Sequence, residues 1–376
     1  MARLVALGDS HLGRTHLAHL RDDQGRNLRE EDFLRSYSWA VDETIRLEPD
    51  GFVWLGDIFD HARPTYRTFS RVLMGLKALR EAGLRGVAIS GNHDTPRIRG
   101  TGSPYQALEE VFDNVDFAWA MEARSVELAG VRVHAVPQTL TVDDFRSELE
   151  RVAGAAGGDA TDLLLAHVAL TSLPSREWRD MNELEVEEAA FDRRFDQVML
   201  GHYHVFQKVS KRTWYAGSTD SFNYADTPTE PKGLVVLDTE TGHLEHVVNP
   251  NERPLITLSA EAAGLSPGEL VAAVERAATG TASGSIARVF LEHADAAALR
   301  QVSREEFEEA VPGAVHVQVE ADAGAETLPV QGGSTIGPLE AEWASFVERQ
   351  DLAGLERDRV VAIGAGYLED ARGETV

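Results

Sequence analysis

The stretch Leu4-Val-Ala-Leu-Gly-Asp-Ser-His-Leu-Gly13 decides the fold class. Four apolar residues run straight into a Gly-Asp-x-His sequence. A short apolar run bounded by glycine reads as a strand buried on both faces. Glycine at its end permits a tight turn. The same pattern recurs in FVWLGD (52–57), GVAISGNHD (86–94), LLLAHVAL (163–170) and QVMLGHYH (197–204). VRVHAV (131–136) reads as a further strand. Between them, Thr65–Ala82 places Phe69, Val72, Leu73, Leu76 and Leu79 at helical spacing. Strands alternating with helices make this an α/β chain.

Ligand sites in open α/β sheets form at the carboxyl ends of strands. Five strand ends here carry Asp9, His11, Asp57, Asn92, His93, Asp94, His167, His202 and His204. Taken singly, each is mundane. Gly-Asp after a strand is usually a turn, and a histidine in LLLAHVAL is usually a satisfied core residue. The ordered set is what points to a metal site. With no cysteine in the chain, disulfides, thiolate zinc sites, iron–sulfur clusters and cysteine nucleophiles are excluded. Ligands limited to O and N suit manganese, iron or zinc.

Length and charge set the outer limits. At 376 residues, two or three domains are expected. The start of the chain lacks a secretory apolar segment, and no run is long enough to span a bilayer. A cytoplasmic protein with no membrane association is the expectation. The net charge of −26 argues at first against nucleic-acid binding. That charge is unevenly divided: residues 1–100 are near neutral at +1, whereas 101–250 carry −14 and 251–376 carry −13. Residues 61–100 are locally basic at +6. Arg63, Arg67, Arg97 and Arg99, with His61, therefore read as candidate DNA contacts, as do Lys208 and Lys211 after the last motif. A solvated helix face is the plain alternative for part of this set.

The ordered motifs resemble the calcineurin-like metallophosphoesterase superfamily over nearly all of 1–250. Within it the chain looks most like the SbcD-type DNA double-strand-break repair nucleases. DSHLG (9–13), REEDF (29–33), GDIFDHARP (56–64) and WYAGSTDSFNYADTPTEPKGLVVLD (214–238) carry that likeness. Protein Ser/Thr phosphatases show GDYVDRG and RGNHE where this chain has GDIFDHA and SGNHD. The resemblance implies a two-layer β-sandwich flanked by helices and a centre of two divalent ions, with manganese expected. It implies that Asp9, His11 and His204 bind one ion and that Asn92, His167 and His202 bind the other. Asp57 would bridge them, His93 would sit beside the phosphate, and Asp94 would orient His93. It further implies DNA as substrate, a coiled-coil ATPase partner of the SbcC type, and a homodimer. A phosphodiesterase on small substrates and a metal-binding scaffold subunit remain as alternatives. One departure stands out: where archaeal and eukaryotic relatives have histidine, this chain has Asp60, followed by His61.

Past Pro250 the texture changes. Ser266-Pro-Gly-Glu269 and Ser303-Arg-Glu-Glu306 each fit a capping box opening a helix, set between apolar strands. This β-α-β-α-β stretch is expected to form a small α+β capping domain over 251–325. Residues 326–376 are expected to hold a linker and a helical partner-docking segment, with Leu339, Trp343, Phe346 and Val347 on one face. His16, His19, His134, His243, His246, His293 and His316 match no motif and read as structural or surface residues.

Overall fold

The computed structural model describes residues 2–98, 100–173, 183–191, 193–224, 231–281, 283–321, 343–344, 347 and 357–373. The chain divides into two compact units, Met1–Asp322 and Ala323–Val376.

The first unit holds the expected two-layer sandwich. One sheet takes β1 (Arg3–Leu7), β2 (Gly51–Leu55), β3 (Gly86–Ile89) and β4 (Val115–Ala118) as parallel neighbours. Antiparallel β13 (Gly233–Asp238) and β14 (Leu244–Val248) extend it, giving the order β14-β13-β1-β2-β3-β4. The second sheet is built from β5 (Arg124–Leu128), β6 (Val131–Val136), β7 (Thr161–His167), β10 (Gln197–Gly201), β11 (Gln207–Lys208) and β12 (Thr213–Tyr215), in the order β11-β12-β10-β7-β6-β5. A short pair, β8 (Ala169–Leu170) and β9 (Glu185–Val186), stands apart. The predicted strand over 163–170 is thus interrupted after His167, which frees that histidine to serve as a strand end.

The period of two along each strand explains the continuous apolar runs. In β1, Leu4 and Ala6 face the layer between the sheets, together with Val53, Leu55, Leu163, Leu165 and Met199. Val5 and Leu7 face the opposite side, into a cluster with Phe33, Tyr37, Val72 and Leu76 from two helices. Those helices are α1 (Leu28–Arg46) and α2 (Tyr66–Glu81). Asn27 and Thr65 cap them, each accepting from an amide three residues on, at Glu30 and Thr68. α3 (Pro104–Glu109) joins the same side through Tyr105 and Leu108. α4 (Val142–Ala153) covers the second sheet with Phe145 and Leu149, against Leu164, Ala166 and Leu200. The central strands β1, β2, β3, β7 and β10 are buried on both faces, so their polar side chains gather at the strand ends.

A third sheet begins at Leu255. β15 (Leu255–Glu261), β16 (Ile286–Glu292) and β17 (His316–Ala321) run parallel, crossed over by α5 (Pro267–Ala277) and by α6 (Ala296–Leu299) with α7 (Arg304–Ala310). Both predicted capping boxes form. The Glu269 carboxylate accepts from the Ser266 amide at 2.9 Å, and the Glu306 carboxylate from the Ser303 amide at 2.8 Å. The helices cover one face through Leu270, Val274 and Phe307, packed against Val289 and Leu291 of β16.

In the second unit, α8 (Arg357–Gly373) is the main element, and Trp343 Nε1 donates to the Val361 carbonyl at 3.1 Å. Leu339 and Phe346 of the predicted stripe lie outside the described residues. Among the described residues no helix is long and apolar enough to cross a membrane.

Candidate metal centre

The carboxyl ends of β1, β2, β3, β7 and β10 meet at one edge of the sandwich. Backbone strain marks the place. His11, Asp57 and His202 all have positive φ, at 43°, 50° and 99°. Such conformations cost about 1–3 kcal/mol each and persist only where the surroundings impose them. The motif glycines are needed for space. A Cβ at Gly91 would overlap the Asp57 carboxylate, and one at Gly56 would meet His167 Nδ1.

Side-chain ligand atoms converge there. Those of Asp9, His11 and His204 lie within 4.8 Å of one another, and so do those of Asp9, Asp57 and His167. His11 Nε2 faces His204 Nε2 at 3.1 Å. On the other side, Asn92 Oδ1 lies 2.9 Å from His167 Nε2 and 3.2 Å from His202 Nδ1. Asp57 Oδ2 joins the two halves, 3.1 Å from His167 Nε2 and 3.9 Å from His11 Nε2. His167 Nδ1 sits 2.7 Å from the Leu55 carbonyl. A carbonyl only accepts, so that nitrogen carries a proton and Nε2 is the ring nitrogen that faces the cluster.

Burial makes the cluster electrostatically demanding. Asp9, Asp57 and His167 are at most 1% exposed. Burial pushes the Asp9 carboxyl up to about 7, against the pull of His167. Burial opposes a charge on His167, yet Asp57 and Asp9 together raise it to about 9. Burial likewise opposes the charged form of Asp57, but His167 and His93 hold it well below the usual carboxylate range. Packed carboxylates and inward-facing ring nitrogens of this kind fit a bound cation, which would neutralise the first and take the place of a proton on the second. The donor set of imidazole, carboxylate and amide oxygen fits divalent ions without thiolate.

Backbone donors brace the motifs against each other. The His202 amide donates to Asp9 Oδ1 at 3.0 Å and the His93 amide to Asp57 Oδ1 at 2.9 Å. Asp94, fully buried and raised to about 7 by burial and by Asp57, accepts from the Phe59 amide at 2.9 Å and from Tyr105 Oη at 3.1 Å. The described contacts of its carboxylate therefore lock two turns together. His93 is positioned from another side: its Nδ1 lies 2.9 Å from the Asp60 carbonyl.

Five residues at the site escaped the sequence reading. Asp60 is 3% exposed and gathers His11 Nδ1 at 3.3 Å, His61 Nε2 at 3.3 Å, Arg14 at 3.4 Å and His93 Nδ1 at 3.8 Å. Burial works against its charge, but the His11, Arg14 and His93 neighbours hold it at about 2. Phe222 packs its ring 4.6 Å from that of His11 and 4.7 Å from that of His204. Arg14 stacks on Phe222 at 3.4 Å. The buried Lys232 ammonium donates to the His204 carbonyl, and Glu183 lies 3.5 Å from His202 Nε2. Only Asp60 had a signal, as a departure within its motif.

The candidate DNA contacts are scattered by comparison. His61 is exposed beside Asp60. Arg63 lines a groove of about 510 Å³ with Tyr66 and Phe69. Arg67 is tied to Glu30 and Glu31 on α1. Arg97 and Lys211 are exposed, Lys208 lies over the Trp214 ring at 4.7 Å, and Arg99 lies outside the described residues.

Comparison with known proteins decides the family. The model for calcineurin-like phosphoesterases matches residues 2–206. The chain belongs to this family. Membership implies divalent metal ions for the cluster and phosphoester hydrolysis as its chemistry. Curated relatives include three archaeal proteins, each named DNA double-strand break repair protein Mre11. The one from Sulfurisphaera tokodaii is 25% identical over 63% of this chain and 59% of its own length. Those from Methanocaldococcus jannaschii (24%, over 64% and 63%) and Methanopyrus kandleri (28%, over 64% and 55%) are similar. The chain spans about three fifths of the length of these relatives.

Proposed function

We propose that this phosphoesterase is a DNA nuclease acting in repair through two divalent ions, with manganese as the expected metal. The observation that carries the reading is the single buried cluster into which all seven proposed ligands converge. The names of the relatives supply DNA as the substrate. Asp9, His11 and His204 would hold one ion, and Asn92, His167 and His202 the other, with Asp57 between them. Bound there, the ions would neutralise phosphoryl charge and lower the pKa of water toward ~7. Asn92 adds a donor without adding negative charge beside an anionic substrate. His93, held beside the cluster by its Nδ1 contact with the Asp60 carbonyl, would give a proton to the leaving oxygen in its imidazolium form.

The SbcD-type likeness supports further parts of this proposal. They are a coiled-coil ATPase partner docking in part on 326–376, a homodimer, a capping role for 251–325 and a cytoplasmic location. His61, Arg63, Arg67, Arg97, Arg99, Lys208 and Lys211 are proposed to touch the DNA backbone. The pairing of Arg67 with Glu30 and Glu31 favours a second reading, a phosphodiesterase on small diesters. One assay separates them. Linear DNA, hairpin DNA and bis(p-nitrophenyl) phosphate are offered to the full chain with Mn2+ and with chelator. Metal-dependent cleavage of DNA supports the nuclease. Cleavage of the small diester alone supports the second reading, and cleavage of neither overturns both.

A further inference from the structure

The turn through His11 and Gly13, both at positive φ, brings Arg14 to the rim of the metal centre. Two groups fix its guanidinium. The guanidinium carbon lies over the Phe222 ring, 3.4 Å from its centroid. Asp60 Oδ1 lies 3.4 Å from one terminal nitrogen. Both neighbours belong to the site: Phe222 packs on His11 and His204, and Asp60 contacts His11 and approaches His93. The side chain is 24% exposed, whereas the ligands behind it are closed off. Arg14 is therefore a partly solvent-facing cation, ordered by stacking and by a carboxylate, and separated from His93 by one shared carboxylate oxygen.

Holding a guanidinium in one orientation costs rotamer freedom, and stacking with a carboxylate supplies that order in advance. Its planar fork suits a phosphate oxygen pair. A diester at the cluster is already met by the metal ligands and by His93, so a cation displaced to the rim meets the next phosphate along the strand. A small diester has no such group.

We propose that Arg14 is a specificity-determining residue that binds the phosphate flanking the scissile one, and so selects polynucleotides over isolated diesters. The inference rests on the nuclease reading above. Its test compares wild type, Arg14→Gln and Arg14→Lys on single-stranded DNA and on bis(p-nitrophenyl) phosphate. Arg14→Gln is expected to raise the KM for DNA about tenfold with kcat changed less than threefold. The KM for the small diester should move less than twofold. With metal withheld to prevent turnover, the dependence of log DNA affinity on log salt should become shallower by about 0.7, the loss of one phosphate contact. Arg14→Lys keeps the charge and should restore the salt slope with only part of the KM. Thermal melts of the three proteins show whether the substitutions are tolerated, and Arg14→Lys carries the test if Arg14→Gln unfolds. Unchanged KM and salt slope for DNA overturn the role of Arg14. An equal loss of kcat on both substrates also overturns it, because Arg14 would then act by holding Asp60 and the cluster. Wild-type protein that cleaves neither substrate overturns the nuclease reading itself.

Discussion

His167–Asp57 and His293–Glu261 are both histidine–carboxylate pairs at the ends of parallel strands. The first lies at 3.1 Å with side chains 1% and 2% exposed. The second lies at 3.4 Å with side chains 62% and 63% exposed. The difference comes from the layers around them. The five central strands of the sandwich are buried on both faces, and Asp9, Asp57 and His167 at their shared edge are buried as well. The three-stranded sheet is covered on one face, and its strand ends open to water. A histidine and a carboxylate thus form part of a buried candidate metal centre in one place and a screened surface contact in the other.

The contrast would break most readily at the ligands. Asp57→Asn and His167→Ala are expected to lower phosphodiester hydrolysis by at least ~10²-fold, a loss of the size seen when one preorganised transition-state donor is removed. Calorimetric titration with Mn2+ should lose one binding event or both. His293→Ala should do neither. Retained metal binding in both ligand variants would remove the basis for calling the first pair a metal site.

Burial also governs the charges behind the site. Arg29 is 0% exposed and donates to Asp32 at 2.8 Å and to Asp220 at 3.1 Å. Arg253, at the root of the third sheet, contacts the same Asp32 at 2.6 Å and the Gly284 carbonyl at 2.7 Å. Arg29→Ala leaves two buried carboxylates short of a partner and should cost about 3–5 kcal/mol in denaturant unfolding. Arg46→Ala, which removes an exposed partner of Glu43, should have a far smaller effect in the same measurement. Burial opposes the charge on Asp32, but Arg253 and Arg29 hold its folded-state pKa below the ordinary 3.8. A depressed carboxylate contributes stability that is present above pH 3.8 and lost as pH falls through its folded-state value. Asp32→Asn should therefore flatten the acid limb of the stability profile, and an unchanged limb would assign it to other groups.

Asp60 sharpens the boundary between ligand and support. Asp60→Asn keeps the shape but weakens the hold on His11 Nδ1 and Arg14. Outer-shell changes of this kind lower metal affinity or activity by about 10–100-fold, readable as a rightward shift in Mn2+ activation. The smallest effect is expected at the exposed pair: Glu261→Gln should leave the denaturant unfolding midpoint unchanged.

Much of this was legible in the sequence because it is periodic or local. Apolar runs ending in Gly-Asp or Gly-His marked strands and turns. The Ser266 and Ser303 boxes were legible because each closes on a glutamate three positions away. His61 and the basic residues of 61–100 were legible as charge only. Whether each is paired depends on neighbours far along the chain, as Arg67 shows against Glu30 and Glu31. Phe222 lies 211 residues beyond His11, and Lys232 lies 28 beyond His204. No spacing rule reaches such contacts.

The sequence by itself determined the α/β pattern, the strand-end ligand types and the absence of thiolate chemistry. These follow from side-chain identity and a period of two or 3.6. Tertiary structure alone decided which strand ends share an edge, which nitrogen of His167 faces inward and which carboxylate gathers Arg14, His11 and His93. Those outcomes depend on burial and on contacts between distant segments, and burial is what sets this Asp and His cluster apart from ordinary surface pairs.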